Sequence, residues 1–371
     1  MQHAKLSPSS SARWLSCTGS VKAEQAFPSS TTSYAVEGTT AHALAELCLT
    51  TNDHPTKYIG QTLEGHIVDE DMVEHIAAYC AYVKSYSGVH LYEHRFSLAK
   101  WIPDSFGTSD AVVIDEANKT AHIIDLKYGK GVSVEAEQNT QAMLYALGVI
   151  DDLGFMYEFD TVVIHIYQPR IKNYSSWQTS TKYLLEWAEW VSQRAKETQL
   201  PDAPRTPSEK ACQWCKAKAT CKALLDHTHT VVMNDFDDLT SINPDTLTDN
   251  ELRVIMDNAK LIKSWLDAVE AHIFDKLNNG KAFDGYKLVE GRSTRTWQDE
   301  QQAAIALADK VPSDKLFTQK LISPAQAEKL LKNDKELFAS LVTKSAGKPT
   351  LVPSCDKRIA LNDANVFDSL D

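Results

Sequence analysis

Apolar residues concentrate in two neighbouring runs, Gly107 to Asp115 and Thr120 to Tyr128, both rich in Val and Ile. Glu116-Ala117-Asn118-Lys119 separates them, so the pattern predicts a β-hairpin. Residues 89–98 alternate like a strand, and Thr161 to Tyr167 is a β-branched run suited to a buried one. Helical spacing governs the flanks. Residues 34–49 carry the stripe Ala41, Leu44, Ala45 and Cys48, with Gly38 and Thr39 as the expected start and N-cap. Further amphipathic helices are predicted over 69–86, 134–150, 180–198 and 249–278. A short helical turn is expected near Cys17. Beyond 278 the pattern predicts a small hairpin over 285–297, short helices over 300–309, 324–332 and 335–342, and an extended tail from 343. Residues 231–248 are polar and read as a linker. The expected organisation is therefore a core domain over 1–230, that linker, a mainly helical accessory region over 249–342, and the tail 343–371.

Alternation along the second hairpin strand gives the pattern a chemical meaning. Asp125 and Lys127 share one face while Leu126 points the other way. Asp110 lies on the partner strand, where a suitable register brings its carboxylate beside Asp125. On its own, an Asp and a Lys two apart describe a solvated face. Here Asp125 follows the apolar pair Ile123-Ile124, Gly129-Lys130-Gly131 comes next, and Gln141 and Tyr145 share a helical face at i and i+4. Two carboxylates and a lysine converging on one spot suit Mg²⁺ or Mn²⁺ and a phosphodiester.

The order Gly107-Thr108-Ser109-Asp110, then Asp125-Leu126-Lys127, then Gln141-Ala142-Met143-Leu144-Tyr145 resembles the PD-(D/E)XK nuclease superfamily. It is similar in particular to the RecB-like branch, with its G-x-x-D, (D/E)-x-K and Q-x-x-x-Y motifs. The resemblance implies an α/β, restriction-endonuclease-like α-β-β-β-α-β core and metal-dependent DNA cleavage, which matches the element order read above. It also implies a histidine ligand on an upstream helix, a place filled by His42, with Glu46 four residues on as an orienting partner. His42, Asp110, Asp125 and the Leu126 carbonyl would then hold the metal and Lys127 would orient the nucleophile. Gln141 and Tyr145 would contact DNA or support the site. Glu93 is an accessory acid at most; a surface charge describes it better.

Seven cysteines stand at 17, 48, 80, 212, 215, 221 and 355. With no apolar signal core in Met1-Gln2-His3-Ala4-Lys5, export is not expected, and clustered cysteines in a reduced compartment more often bind metal than form disulfides. Cys212, Cys215 and Cys221 follow a C-x2-C-x5-C spacing and need a fourth ligand, for which Cys17 is the best candidate. From spacing alone zinc is a serious alternative. One cysteine before the motifs and three after them resembles the iron–sulfur members of the RecB-like branch, and that resemblance implies a [4Fe-4S] cluster stapling the core. The same segment is locally basic around Trp214, with Lys216 and Lys218; these and Lys130 are expected DNA contacts. Lys287, Arg292 and Arg295 are further exposed candidates.

Composition bounds the rest. The chain has 371 residues, 43% hydrophobic and 24% charged, with a formal charge of −12. That charge argues against nonspecific coating of nucleic acid and leaves a local basic surface open. No apolar run suits a membrane span, so a cytoplasmic protein is expected. No Walker A or helicase signature is present, and a stand-alone chain of this kind resembles phage-encoded members of the superfamily. The resemblance implies a DNA exonuclease of recombination, repair or processing. It would act on single-stranded DNA or a free end, beside a strand-annealing or single-strand-binding protein. The alternatives are a structure-specific endonuclease and a noncatalytic DNA-binding or assembly subunit.

Overall fold

The computed structural model describes residues 4–28, 33–233, 249–291, 295–318, 320–330, 334–344, 349–353 and 359–361. Two units emerge, Met1–Trp265 and Leu266–Asp371. The first is mixed α/β. Its elements begin with α1 (Ser11–Ser16), α2 (Ser20–Glu24), α3 (Ser33–Thr51), the short pair β1 (Thr62–Leu63) and β2 (His66–Ile67), and α4 (Glu70–Lys84). Strands β3 (Val89–Ser97), β4 (Phe106–Asp115) and β5 (Thr120–Leu126) follow, then α5 (Thr140–Leu153) and β6 (Thr161–Gln168). The unit continues with β7 (Asn173–Ser180), α6 (Thr181–Glu197), α7 (Glu209–Cys212), α8 (Lys222–Met233) and the start of α9 (Asp249–Asn278).

One five-stranded sheet, ordered β3-β4-β5-β6-β7, forms the centre. All its pairs are antiparallel except β5–β6. A parallel joint needs a crossover connection, which α5 supplies. Val112, Ile114, Ile123 and Ile164 pack on one side with residues of α5 and α6. Ala111, Val113, Ile124 and Leu126 pack on the other with residues of α3 and α4. Burial on both faces is why β4 and β5 read as near-continuous apolar runs.

Local chemistry sets the helix limits. Asp69 caps α4 by accepting from the Met72 amide, and Asn139 caps α5 by accepting from Ala142. The latter moves the helix expected over 134–150 to Thr140–Leu153. Thr39 does not cap α3, which begins at Ser33; its hydroxyl donates instead to the Ala35 carbonyl. Gly148 lets α5 lie close to the sheet, since a Cβ there would sit 1.9 Å from Phe96 Cδ2. Arg170, just after β6, pairs with Glu37 of α3 at 2.8 Å and lies over the Tyr128 ring. This ties the beginning of α3 to the end of the sheet.

The second unit corrects two expectations. The hairpin expected over 285–297 does not form. β8 (Tyr286–Glu290) pairs with β13 (Pro349–Pro353), and β9 (Arg295–Trp297) pairs with β12 (Val342–Lys344). Parts of the expected tail are thus paired strands. Between these lie α10 (Glu300–Ala308), α11 (Ser313–Leu316), the short β10 (Phe317–Thr318) and β11 (Lys320–Leu321), α12 (Pro324–Leu330) and α13 (Lys335–Leu341). Leu307, Val311, Leu316, Ile322 and Ala327 form its core. Most of the expected linker, and Arg292 and Cys355, lie outside the described residues. The units divide at Trp265/Leu266, inside α9. Among the described residues no helix is long and apolar enough to cross a membrane.

A histidine pair, His165 buried and His122 half-buried, sits on the α4 side of the sheet. His165 is 3% exposed, with Nε2 3.0 Å from His122 Nδ1 and Nδ1 2.9 Å from the Tyr82 hydroxyl. Burial, reinforced by His122, lowers His165 to about 4. The unfolded side chain takes up its proton near pH 6.5 while the folded one stays neutral. Stability is therefore complete above that pH and falls as pH drops toward 4, by up to about 3 kcal/mol from this residue. Urea midpoints measured from pH 7.5 to 4.5 should fall less steeply for His165→Gln than for wild type; equal slopes would remove His165 as the cause.

Candidate metal centre and cysteine pocket

The hairpin register sets the carboxylates. Ala111 faces Ile124, so continuation of the ladder puts Asp110 opposite Asp125, where the paired residues end. Asp110 takes over the next ladder bond with its side chain: Leu126 donates its amide to Asp110 Oδ2 at 2.7 Å. Asp125 is 2% exposed. Lys127 Nζ lies 2.9 Å from Asp125 Oδ2 and donates to Gln141 Oε1 at 2.9 Å. Gln141 in turn donates to the Tyr145 hydroxyl at 2.7 Å. Tyr145 is buried, so this helical pair holds the lysine in place.

Two more side chains complete the group. His42 projects from α3, with Nδ1 3.2 Å from Asp110 Oδ1. Glu93 comes from β3, where Tyr92↔Ala111 and His94↔Ser109 flank it, so it stands across from Asp110. Ligand atoms of His42, Glu93 and Asp110 lie within 4.8 Å of one another. Glu93 holds the left-handed φ of 43° in the middle of a strand. Such a conformation costs on the order of 1–3 kcal/mol for a non-glycine residue and persists only where its surroundings impose it. The alternating pattern of 89–98 carried no sign of that twist, so sequence reasoning left Glu93 as a surface charge. Glu46, one turn from His42, is exposed.

Electrostatics define what the group lacks. Burial opposes protonation of His42, but Asp110 and Asp125 outweigh it and raise His42 to about 9. Burial also disfavours ionised Asp110, yet His42, Lys127 and the Leu126 amide hold it below the usual carboxylate range. Asp125 is raised, chiefly by burial. Burial and then Asp110 push Glu93 up to about 7. The buried Oδ2 of Asp125 receives no aligned hydrogen-bond donor despite the nearby ammonium. Three carboxylates crowded beside a strained backbone, one of them paired with the Lys127 ammonium, fit a hard divalent cation.

The cysteines gather elsewhere. Cys17, just after α1, lines one pocket with Cys212, Cys215 and Cys221. Thr206 donates its amide to Cys17 Sγ at 3.3 Å. Gly19 allows the approach, since its Cβ would meet the Ala203 carbonyl oxygen at 2.4 Å. Leu224, Leu261 and Trp265 pack around the thiols. Burial raises Cys17 and Cys212, and raises Cys215 to about 11. Four thiols lining one pocket, three of them disfavoured as free anions, are a donor set for a soft metal centre. A tetrahedral zinc with Zn–S near 2.3 Å would space its sulfurs about 3.8 Å apart. Among the described residues no three thiols lie within 4.8 Å of each other. Cys48 and Cys80 lie in the helical core instead.

The expected DNA contacts divide. Lys130 is exposed on the irregular segment joining β5 to α5. Lys218 is committed to the protein, donating to Ser264 Oγ at 2.7 Å and the Gln213 carbonyl at 3.2 Å. Lys216 borders a groove beside Trp214.

The profile of the family described as "Protein of unknown function (DUF2800)" matches residues 3–359. Among solved structures, the crystal structure of SSO0001 is similar over 48% of this chain and 85% of that chain, with 13% sequence identity and a TM-score of 0.22. A likeness at that level carries no argument about this chain.

Proposed function

The chain belongs to the DUF2800 family, and we propose that it is a metal-dependent deoxyribonuclease of the PD-(D/E)XK type, RecB-like branch, acting as an exonuclease. The observation that carries this reading is the grouping of His42, Glu93 and Asp110 where the β4–β5 pairing ends, with the Asp125–Lys127 pair across from Asp110. The sheet order supports it: three antiparallel strands, a crossover helix, then a parallel strand. An assembly subunit without catalysis would have no need of a strained Glu93 beside a buried Asp125–Lys127 pair.

His42, Glu93, Asp110 and Asp125, with the Leu126 carbonyl, would hold one or two Mg²⁺ or Mn²⁺. Bound there, the metal supplies an acidified water and charge neutralisation at the scissile phosphate. Lys127 does the remaining electrostatic work. Its ammonium, held between Asp125 and Gln141, stabilises negative charge developing on the phosphoryl oxygens. Tyr145 fixes Gln141, so the lysine enters the reaction already oriented. Cys17, Cys212, Cys215 and Cys221 would hold a [4Fe-4S] cluster whose role is structural.

Metal binding tests the ligand set without reference to cleavage. Free Mn²⁺ followed by electron paramagnetic resonance should show Glu93→Gln lowering affinity about tenfold or more, with an unchanged circular dichroism spectrum. Wild-type affinity in that variant would return Glu93 to the surface.

A further inference from the structure

A groove of the first unit is lined by none of the proposed metal ligands. It encloses about 600 Å³ and is lined by Lys5, Ser10, Arg13, Trp214 and Lys216, among others. Trp214 is 70% exposed although it sits between Cys212 and Cys215. Arg13 fixes its backbone, donating to the Trp214 carbonyl at 3.1 Å. Glu24 is the one acid in the lining, and its charge is already answered. Arg13 Nε lies 2.9 Å from it, and the Lys216 amide donates to it at 2.7 Å. A chain with a formal charge of −12 thus presents here a wall of excess positive charge, hydroxyls and one displayed indole.

We propose that this groove holds a single strand of DNA, with a base stacked on Trp214 and phosphates facing Lys5 and Lys216. The inference rests on the nuclease reading and names a path for its substrate. An indole face accepts any base, and nearby cations follow the backbone without reading sequence.

The groove wall is tied to the lysine-bearing site through the protein interior. Ser10 lines it, and the adjacent Ser11 hydroxyl lies 2.7 Å from the Thr140 hydroxyl at the start of α5. The next residue, Gln141, receives the Lys127 ammonium. Packing of α1 against the start of α5 therefore couples the position of the groove wall to the helix that positions the lysine. The cysteine pocket gains a consequence too: Cys17 follows the helix bearing Arg13, and Cys212 and Cys215 bracket Trp214. Whatever holds the four thiols holds both walls of the groove.

The test is binding of a fluorescein-labelled 20-residue oligo(dT), read by anisotropy in the full chain carrying Asp110→Asn so that no hydrolysis intervenes. Adding Trp214→Ala should raise Kd about tenfold, in line with loss of one base–aromatic stack. Lys5→Ala and Lys216→Ala should each reduce the slope of log K against log salt by about 0.7. Phe155→Ala, an exposed aromatic elsewhere, should bind as the parent does. Unchanged Kd in Trp214→Ala, with its visible and circular dichroism spectra intact, would overturn the groove assignment. Wild-type hydrolysis, measured in parallel, keeps the two failures apart. Cleavage with no Trp214 dependence sinks the groove alone; Trp214-dependent binding with no cleavage sinks the nuclease reading and leaves the groove.

Discussion

Asp110→Asn should lower metal-dependent DNA hydrolysis about 10³-fold and leave the fold standing. The amide oxygen of Asn can still accept from the Leu126 amide, so the side chain that completes the β4–β5 ladder is kept. The amide nitrogen can still donate to His42 Nδ1. What vanishes is one negative charge from the cation's shell. Metal polarisation supplies several kcal/mol of transition-state stabilisation, and each tenfold in rate corresponds to about 1.36 kcal/mol. Thermal melting without metal should stay near wild type, because an isosteric neutral group also relieves repulsion with Asp125 and Glu93. A variant that cleaves at one tenth of the wild-type rate or better would exclude Asp110 from the metal.

Cys212→Ser should produce the largest loss of stability. A cluster bridging Cys17 to Cys212 closes a loop of roughly 200 residues, which contributes about 5 kcal/mol in the chain-entropy description. For a unit of this size that corresponds to a melting temperature lower by about 10–20 °C. The anaerobically purified wild type should be brown with bound iron, and the variant colourless. Cys48→Ala, from the helical core, should keep the colour despite its own packing defect. Colourless wild type containing stoichiometric zinc would replace the cluster with zinc on the same four thiols. Equal melting temperatures for Cys212→Ser and wild type would deny the staple altogether.

Much of the core is legible because its signals are local. Val and Ile flanking a short polar turn predict the hairpin and alternation puts Asp125 and Lys127 on one face, while the observed register supplies the match of Asp110 with Asp125. The spacing of Gln141 and Tyr145 foretells one helical face, and the structure adds that this face grips Lys127. Three things escape. β7 is an edge strand whose polar sequence, Asn173 to Ser180, resembles a loop; its partner β6 makes it a strand. Strands β8 and β9 invite a hairpin by proximity, yet each finds its partner more than forty residues on, a pairing no local pattern encodes. Glu93 is hidden because its importance lies in a left-handed backbone angle that alternation does not report. Cys17 shows the opposite case. A lone cysteine in a short helical turn means little, and only the count of three downstream asks for it.

The account turns on whether these side chains cleave DNA. The direct measurement is release of acid-soluble nucleotide by the anaerobically purified chain with Mn²⁺ or Mg²⁺. Linear and circular single-stranded DNA would be compared, with Asp125→Ala alongside. The account predicts metal-dependent digestion of the linear strand, sparing of the circle, and no release by the variant. No release from either substrate by a folded, brown wild type with either metal would contradict it and favour a DNA-binding or assembly subunit.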